Sequence, residues 1–137
     1  MTFTAEDVYR LAPFVRTLGV EFTELTPSAV AAHLTHVAEL STTGGGLHGG
    51  ALMGLADAAA AVCAALNSVP GALPATTDST THFLRPVHAV AHAVATPMRV
   101  SRSAVVVSVQ ITDESGALCA HVIQTVQMRV GAGQPAA

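Results

Sequence analysis

The apolar residues of this chain fall into two kinds of pattern. Between Gly49 and Leu66, alanine, leucine, methionine and valine run almost unbroken with Asp57 as the lone charge, and the run stops before Pro70-Gly71. Strong helix formers over this length, followed by a breaker pair, predict a helix over Gly49–Leu66. Beyond it the period changes to two. Val105, Val107, Val109 and Ile111 alternate with Ala104, Val106, Ser108 and Gln110, while Leu118, Ala120, Val122, Val126 and Met128 share one face that Gln124 interrupts. The downstream chain is expected to form strands over Ala75–Phe83, His88–Arg99, Ser103–Ile111 and Ala117–Val130, the last two joined by a hairpin turn at Asp113-Glu114-Ser115-Gly116. Upstream, Thr4 can cap a helix over Ala5–Leu18, with Pro13 an obstacle inside it. A segment over Val20–Leu25 is ended by Thr26-Pro27, and Ser28–Ala38 has β character, with Val30, Ala32 and Leu34 on one side.

A sheet with one dry face needs a cover, and the long helix can supply it. The pattern therefore predicts an α+β fold, a curled antiparallel β-sheet wrapped around one long central helix. The sequence holds no repeat and no internal linker. Residues 1–137 are expected to form a single domain, with Gly131–Ala137 a frayed tail.

Composition changes the picture of the surface. Half of the 137 residues are apolar and 11% are charged, against about 25% charged in an average soluble domain. The longest apolar run, Ala51–Leu66, contains Gly54 and Asp57 and falls short of the roughly 20 apolar residues of a membrane span. The shortage of charge thus points to surface hidden in an oligomer, and no membrane partner is expected. The net charge is −3 and the six basic residues are scattered arginines, which argues against a nucleic-acid partner. Met1 to Arg10 carries Glu6 and Asp7 and lacks the apolar core of a signal peptide. Cys63 and Cys119 then read as reduced, buried thiols, and a cytoplasmic location is expected.

The helix concentrates the candidate chemistry. At roughly 100° per residue, Leu52, Leu55, Val62 and Leu66 lie about 140–180° from Asp57, while Gly50, Met53, Gly54, Ala60, Ala61 and Ala64 lie within about 60° of it. One face is bulky; the opposite face is nearly flat, with one acid and no Lys or Arg at i±3 or i±4 to pair with it. A solvated surface acid would look the same in a sequence. A carboxyl on a flat face that another backbone or a ligand can approach is nevertheless a functional-site candidate.

At the helix start, Gly49 and Gly50 follow His48. The first amides of a helix lack internal partners and sit at the positive end of the dipole, and glycine lets a ligand come close to them. Such an N–H can polarise a bound carbonyl and stabilise the oxyanion formed on attack. A Gly-rich turn before a helix is also common without any such role. Gly49 and Asp57 are eight positions apart (57 − 49 = 8), about 12 Å along a helix axis. Within one chain they cannot easily serve one carbonyl. If both act, the helix start of one subunit faces Asp57 of another, and two antiparallel helices give two equivalent sites.

The segment from Leu47 to Asp57 resembles the signature of the PaaI-like hotdog thioesterases. In that family a His-Gly-Gly opens the central helix and an acid follows nine residues after the His, as here (57 − 48 = 9). Thr76 to Val87, with Phe83-Leu84-Arg85-Pro86, is similar to the family's next strand, and Asp113 to Ala120 to its final hairpin, Asp-x-x-Gly-x-Leu-x-Ala. The resemblance implies a hotdog fold and an acyl-CoA thioesterase acting on a small aryl- or fatty acyl-CoA. It implies no cofactor beyond the coenzyme A of the substrate, no metal, and a homodimer as the minimum, with a tetramer of two dimers expected. Asp57 would be nucleophile or general base. The Gly49 backbone N–H of the opposing subunit would polarise the carbonyl, with His48 beside it and Gly50 against the substrate. Thr76 or Thr77 would position water, and Arg85, Arg102 and Ser103 would meet coenzyme A. Many members carry Asn six residues before the His; here that position is Thr42, whose hydroxyl has a different reach. A Gly-Arg pair common before the fourth main strand appears as Ser101-Arg102.

Other readings stay open on the residues. A hydratase or dehydratase of acyl thioesters on the same fold pairs a His with an acid, though its His motifs are not visible here. Thr42 also fits a non-catalytic acyl-CoA binder. His33, His36, His88 and His92 raise a metal site, but the first two point to opposite faces of a strand and the last two are four apart, neither a good ligand pair.

Overall fold

A computed structural model of the chain describes residues 3–130; the tail expected over 131–137 lies outside them. The chain opens with two short helices where one was expected. Helix α1 (Ala5–Leu11) starts at a reciprocal cap: the Thr4 hydroxyl accepts from the Asp7 amide and the Asp7 carboxylate accepts from the Thr4 amide. The Thr4 amide and hydroxyl hold the Asp7 carboxyl below its ordinary value. The helix stops at Ala12, which has φ −135°. Pro13 disfavours helical backbone in the residue before it, and becomes the first residue of α2 (Pro13–Leu18).

Six antiparallel strands form one sheet: β1 (Glu21–Leu25), β2 (Val30–Thr35), β3 (Ala72–Phe83), β4 (Val90–Val100), β5 (Ala104–Thr112) and β6 (Leu118–Val130), in the order β1-β2-β4-β5-β6-β3. The β2 region is shorter than Ser28–Ala38. The chain leaves the sheet after His36 donates to the Ala89 carbonyl, and Ala38–Leu40 winds into a single 3-10 turn on the way to the next helix.

Helix α3 (Gly49–Leu66) has the expected bounds and touches every strand, so the sheet curls around it. Leu52, Leu55 and Val62 of the bulky stripe are buried, and Leu66 is half-buried at its end. They meet the inner rows Val105, Val107, Val109, Ile111 and Ala120, Val122, Val126, Met128, all buried; Leu118 emerges at the start of β6. A leucine as enclosed as Leu55 stabilises a fold by roughly 2–5 kcal/mol over alanine. Among the described residues α3 is the one helix with the length and hydropathy of a membrane span, and its burial under the sheet accounts for that composition.

The small face of α3 is narrower than the helical pattern predicts. Ala60 and Ala64 are fully buried, and α2 lies against Gly54, where an added Cβ would stand 2.8 Å from Leu18 Cδ2. The strip left open carries Gly50, Met53 and Asp57.

Strand β3 is bulged at Thr77. Thr76 pairs with Val126 and Asp78 with Thr125, so Thr77 is the extra residue. The inward parity changes there: Thr76 shares a face with Val126, then Ser79 with Gln124, Thr81 with Val122 and Phe83 with Ala120.

Candidate active site

Asp57 leaves the open strip of α3 toward the β3–β6 pair. Its Oδ1 accepts from Thr76 Oγ1 at 2.8 Å and from Gln124 Nε2 at 2.5 Å, and the same Nε2 lies 3.1 Å from Thr76 Oγ1. Oδ2 has no hydrogen-bond partner among the described residues. Gln124 reaches this point because β6 alternates, placing it inward between Val122 and Val126; it is 0% exposed. Thr76 reaches it because it is the last inward residue before the bulge. Asp57 itself is exposed in the protomer. The acid expected to stand unpaired is therefore held by two side-chain donors. In front of it lies an open cleft of about 290 Å³ lined by Met53, Gly54, Asp57, Thr76, Ser79 and Gln124.

The start of α3 is built differently. His48 caps the helix, its Nδ1 accepting from the Gly50 amide at 2.8 Å. With Nδ1 accepting, the ring proton belongs on Nε2, which is left as a donor. The cap uses up the amide of Gly50, and Gly50, expected against the substrate, lines neither of the two clefts. The amide of Gly49 has no partner among the described residues. It opens into a second cleft of about 340 Å³, lined by Leu47, Gly49, Leu52, Phe83, Leu84, Arg85 and Pro86. An added Cβ at Gly49 would sit 3.2 Å from Phe83 Cε1 and Cζ, so glycine lets the ring close on the backbone. One protomer thus keeps Asp57 and Gly49 in separate clefts.

The family model described as the thioesterase superfamily matches residues 44–120, more than half of the chain, including the helix start, the acid and the strand that supplies Thr76. This chain belongs to the thioesterase superfamily. A thioesterase of Haemophilus influenzae superposes with a TM-score of 0.87 at 25% identity, over 98% of this chain and 97% of that one. A variant thioesterase of Pseudomonas aeruginosa superposes at 0.85 and 18% identity, over 94% and 96%. The PaaI protein of Escherichia coli, from the phenylacetic acid degradation operon, superposes at 0.82 and 22% identity, over 93% and 91%. A comparison with curated proteins gives no match. The curled sheet around α3 is the hotdog fold of these thioesterases, and the protein is a thioester hydrolase.

Within this thioesterase the remaining expected residues separate. Thr76, not Thr77, meets the acid; Thr77 donates instead to the Thr125 carbonyl at 3.3 Å from the bulge. Arg85 lines the Gly49 cleft. Arg102 and Ser103 occupy the β4–β5 turn and line neither cleft; the Ser103 carbonyl accepts from Met128, whereas the Arg85 amide donates to Cys119 at the other end of β6. Thr42 sits in the turn before α3, its amide donating to Gly46 and its carbonyl accepting from Gly45, and it too lines neither cleft. Gln124 and Ser79 join the Asp57 cleft without having been singled out as site residues. For Gln124 the signal was its interruption of an apolar row.

Both cysteines are free and buried. Burial pushes the Cys63 thiol up to about 11 and raises that of Cys119, so neither is a competing nucleophile at neutral pH. Among the described residues no three His, Cys, Asp or Glu side chains gather around a common point. The rings of His33 and His92 face each other across β2 and β4 at 6.1 Å, with Glu21 Oε2 3.8 Å from His33 Nε2.

Proposed function

We propose that the protein is an acyl-CoA thioesterase, hydrolysing a small aryl- or fatty acyl-CoA to the free acid and coenzyme A at sites shared between two protomers. The observation that carries this reading is the separation of two half-sites, an acid with a free Oδ2 in one cleft and a helix-start amide in another. Eight helical residues keep them about 12 Å apart, whereas catalytic groups must lie near hydrogen-bond reach of one reacting centre. A second copy related by a two-fold axis removes the conflict, the helix start of each protomer facing the acid of the other. The sheet edges favour the same pairing. Edge strand β3 is 12 residues long and mostly exposed, while β1 at the other edge has five residues. A long exposed edge can take another strand, here over the stretch beyond Pro74 and the bulge, and two β3 strands meeting about the axis continue the sheet. A dimer is the minimum; exposed Leu73, Val94, Met98 and Val100 suit its further association into a tetramer.

In such a site the thioester oxygen accepts from the Gly49 amide, with His48 Nε2 beside it, and the carbonyl carbon meets Asp57 Oδ2. Attack by Oδ2 forms an acyl–Asp57 anhydride as the C–S bond breaks. Coenzyme A leaves as a thiolate and takes up a proton; water then opens the anhydride to free acid and carboxylate. A general-base route uses the same groups: Oδ2 takes a proton from water, the water oxygen bonds to the carbonyl carbon, and the proton returns to the departing sulfur. Neither route calls for a cofactor or a metal.

Met53, and Phe14 with Cε2 3.6 Å from where a Gly54 Cβ would stand, give the acid's cleft an apolar rim suited to an acyl group. Arg85 beside Gly49 suits a coenzyme A phosphate. Two free thiols suit a reducing compartment, and we place the protein in the cytoplasm.

The test is free-thiol release from a panel of aryl and fatty acyl-CoA esters, with Asp57→Ala beside the wild type. We expect the substitution to lower kcat by roughly 10³-fold or more with the oligomer intact. Undiminished turnover in that variant would remove Asp57 from the chemistry.

A further inference from the structure

The inner row of β6 is apolar except at one position. Between Val122 and Val126, each without exposed surface, stands Gln124, equally buried. Its amide is only half satisfied: Nε2 donates to Asp57 Oδ1 and Thr76 Oγ1, while Oε1 is buried without a partner. A buried acceptor with no donor destabilises a fold, and an apolar side chain of the same shape would avoid that loss. Stability therefore does not explain the residue. Nor does solvation of the acid, because Asp57 is exposed and water could supply its donors.

What the amide adds is geometry. The terminal torsion of an Asp side chain is broad and roughly two-fold, so its two oxygens ordinarily exchange places. Here both donors converge on Oδ1. The single proton of Thr76 goes to Oδ1, and its oxygen faces the second hydrogen of Gln124 Nε2, closing a three-membered polar ring. Oδ2 is the only carboxylate oxygen outside the ring.

Resting on the reading of Asp57 as the reacting acid, we propose that Gln124 is a positioning residue of the hydrolase. With Thr76 it clamps Oδ1 so that Oδ2 alone is presented to the thioester or its water. Gln124 has no exposed surface, and it acts through Asp57.

The clamp is tested by kcat and KM for thiol release, with melting temperature, in Gln124→Met, Gln124→Glu, Thr76→Val and Asp57→Ala. Gln124→Met fills the same space without donors. It is expected to melt no lower than the wild type and to keep KM within about twofold, yet to lose about 100-fold in kcat, the scale of an ångström's misplacement at a reacting group. Gln124→Glu is expected to lose more at neutral pH and to regain activity relative to the wild type as pH falls, because a buried carboxyl beside another acid takes up a proton and can donate again. A purely structural role predicts instead that activity follows melting temperature, with no such recovery. Should Gln124→Met not fold, Thr76→Val removes the other donor at an exposed position and is expected to lower kcat with KM unchanged. Wild-type kcat in Gln124→Met or, failing that variant, in Thr76→Val, with Asp57→Ala inactive, overturns the clamp and leaves the acid in place. Normal turnover in Asp57→Ala removes the reading beneath it.

Discussion

The two clefts along α3 rely on opposite resources. At the Asp57 end two side chains, Thr76 on β3 and Gln124 on β6, converge on one oxygen of a third, Asp57 on α3. At the Gly49 end the proposed group is a backbone amide, with Phe83 packed close to it because the residue has no side chain. The first half-site can be destroyed by deleting atoms. The second is vulnerable to adding them or to losing the N–H itself. One half is encoded by residue type, the other by a position in the first turn of a helix, where any residue small enough would present the same group.

After Asp57→Ala, the contrast is broken most severely at Gly49. Gly49→Pro removes the N–H while suiting the first turn of a helix, and is expected to lower kcat by roughly 10²–10³-fold, the usual loss for one oxyanion donor. Gly49→Ala keeps the N–H and only presses a Cβ to 3.2 Å from Phe83, so it should lose less. Equal losses would assign the effect to crowding. Co-expressing Gly49→Pro with Asp57→Ala sharpens the comparison, because one of the two sites in each mixed pair keeps both an intact amide and an intact acid. Recovery of thiol release in the mixture is expected; its absence would confine the site to one protomer.

A milder asymmetry concerns the arginines. Arg85 lines the amide cleft and Arg102 lies at the far end of β6. Arg85→Gln should raise KM for a coenzyme A ester about fivefold, the scale of one exposed charge contact, and leave a short thioester without phosphates unaffected. The same rise with both substrates would take Arg85 away from the phosphates.

The smallest effect is expected in the turn of the β5–β6 hairpin, which lines neither cleft. There the Ser115 hydroxyl, with the Ala117 and Ser115 amides, holds the Asp113 carboxyl below its ordinary 3.8. A carboxyl lowered by folding contributes stability above its unfolded value and loses it as pH falls through the folded one. Melts of Asp113→Ala should therefore lie slightly below the wild type at neutral pH and converge with it below 3.8, with thiol release unchanged. A gap that ignores pH would show that the carboxylate bonds are not its source.

What was legible in the sequence divides along the same line. The helix Gly49–Leu66 could be read to its last residue, because glycines after His48 and the Pro70-Gly71 pair frame an unbroken helical composition. Asp57 was legible as its lone charge. The broken N-terminal helix shows the obstacle expected at Pro13 acting on the residue before it, at Ala12, and dividing the helix in two. The clamp was not legible. Gln124 and Asp57 are 67 positions apart, and only the register of β6 against β3 tells which side chains meet. The cap at Gly50 was hidden for a different reason: Ser, Thr, Asp and Asn dominate helix caps, so nothing announced that an imidazole would take its amide. The choice between Thr76 and Thr77 could not be made from alternation, because the alternation itself changes there.

That change makes Thr77 a phase joint in β3. Upstream of it the strand is timed to the acid, through Thr76; downstream it is timed to the helix start, through Phe83 over Gly49. Removing one residue would restore a continuous zigzag and turn one of these two settings to the wrong side of the sheet. The strand can therefore accept many different side chains at Thr77 itself, but hardly any change in its length: what it must hold constant between the two half-sites is a count of residues.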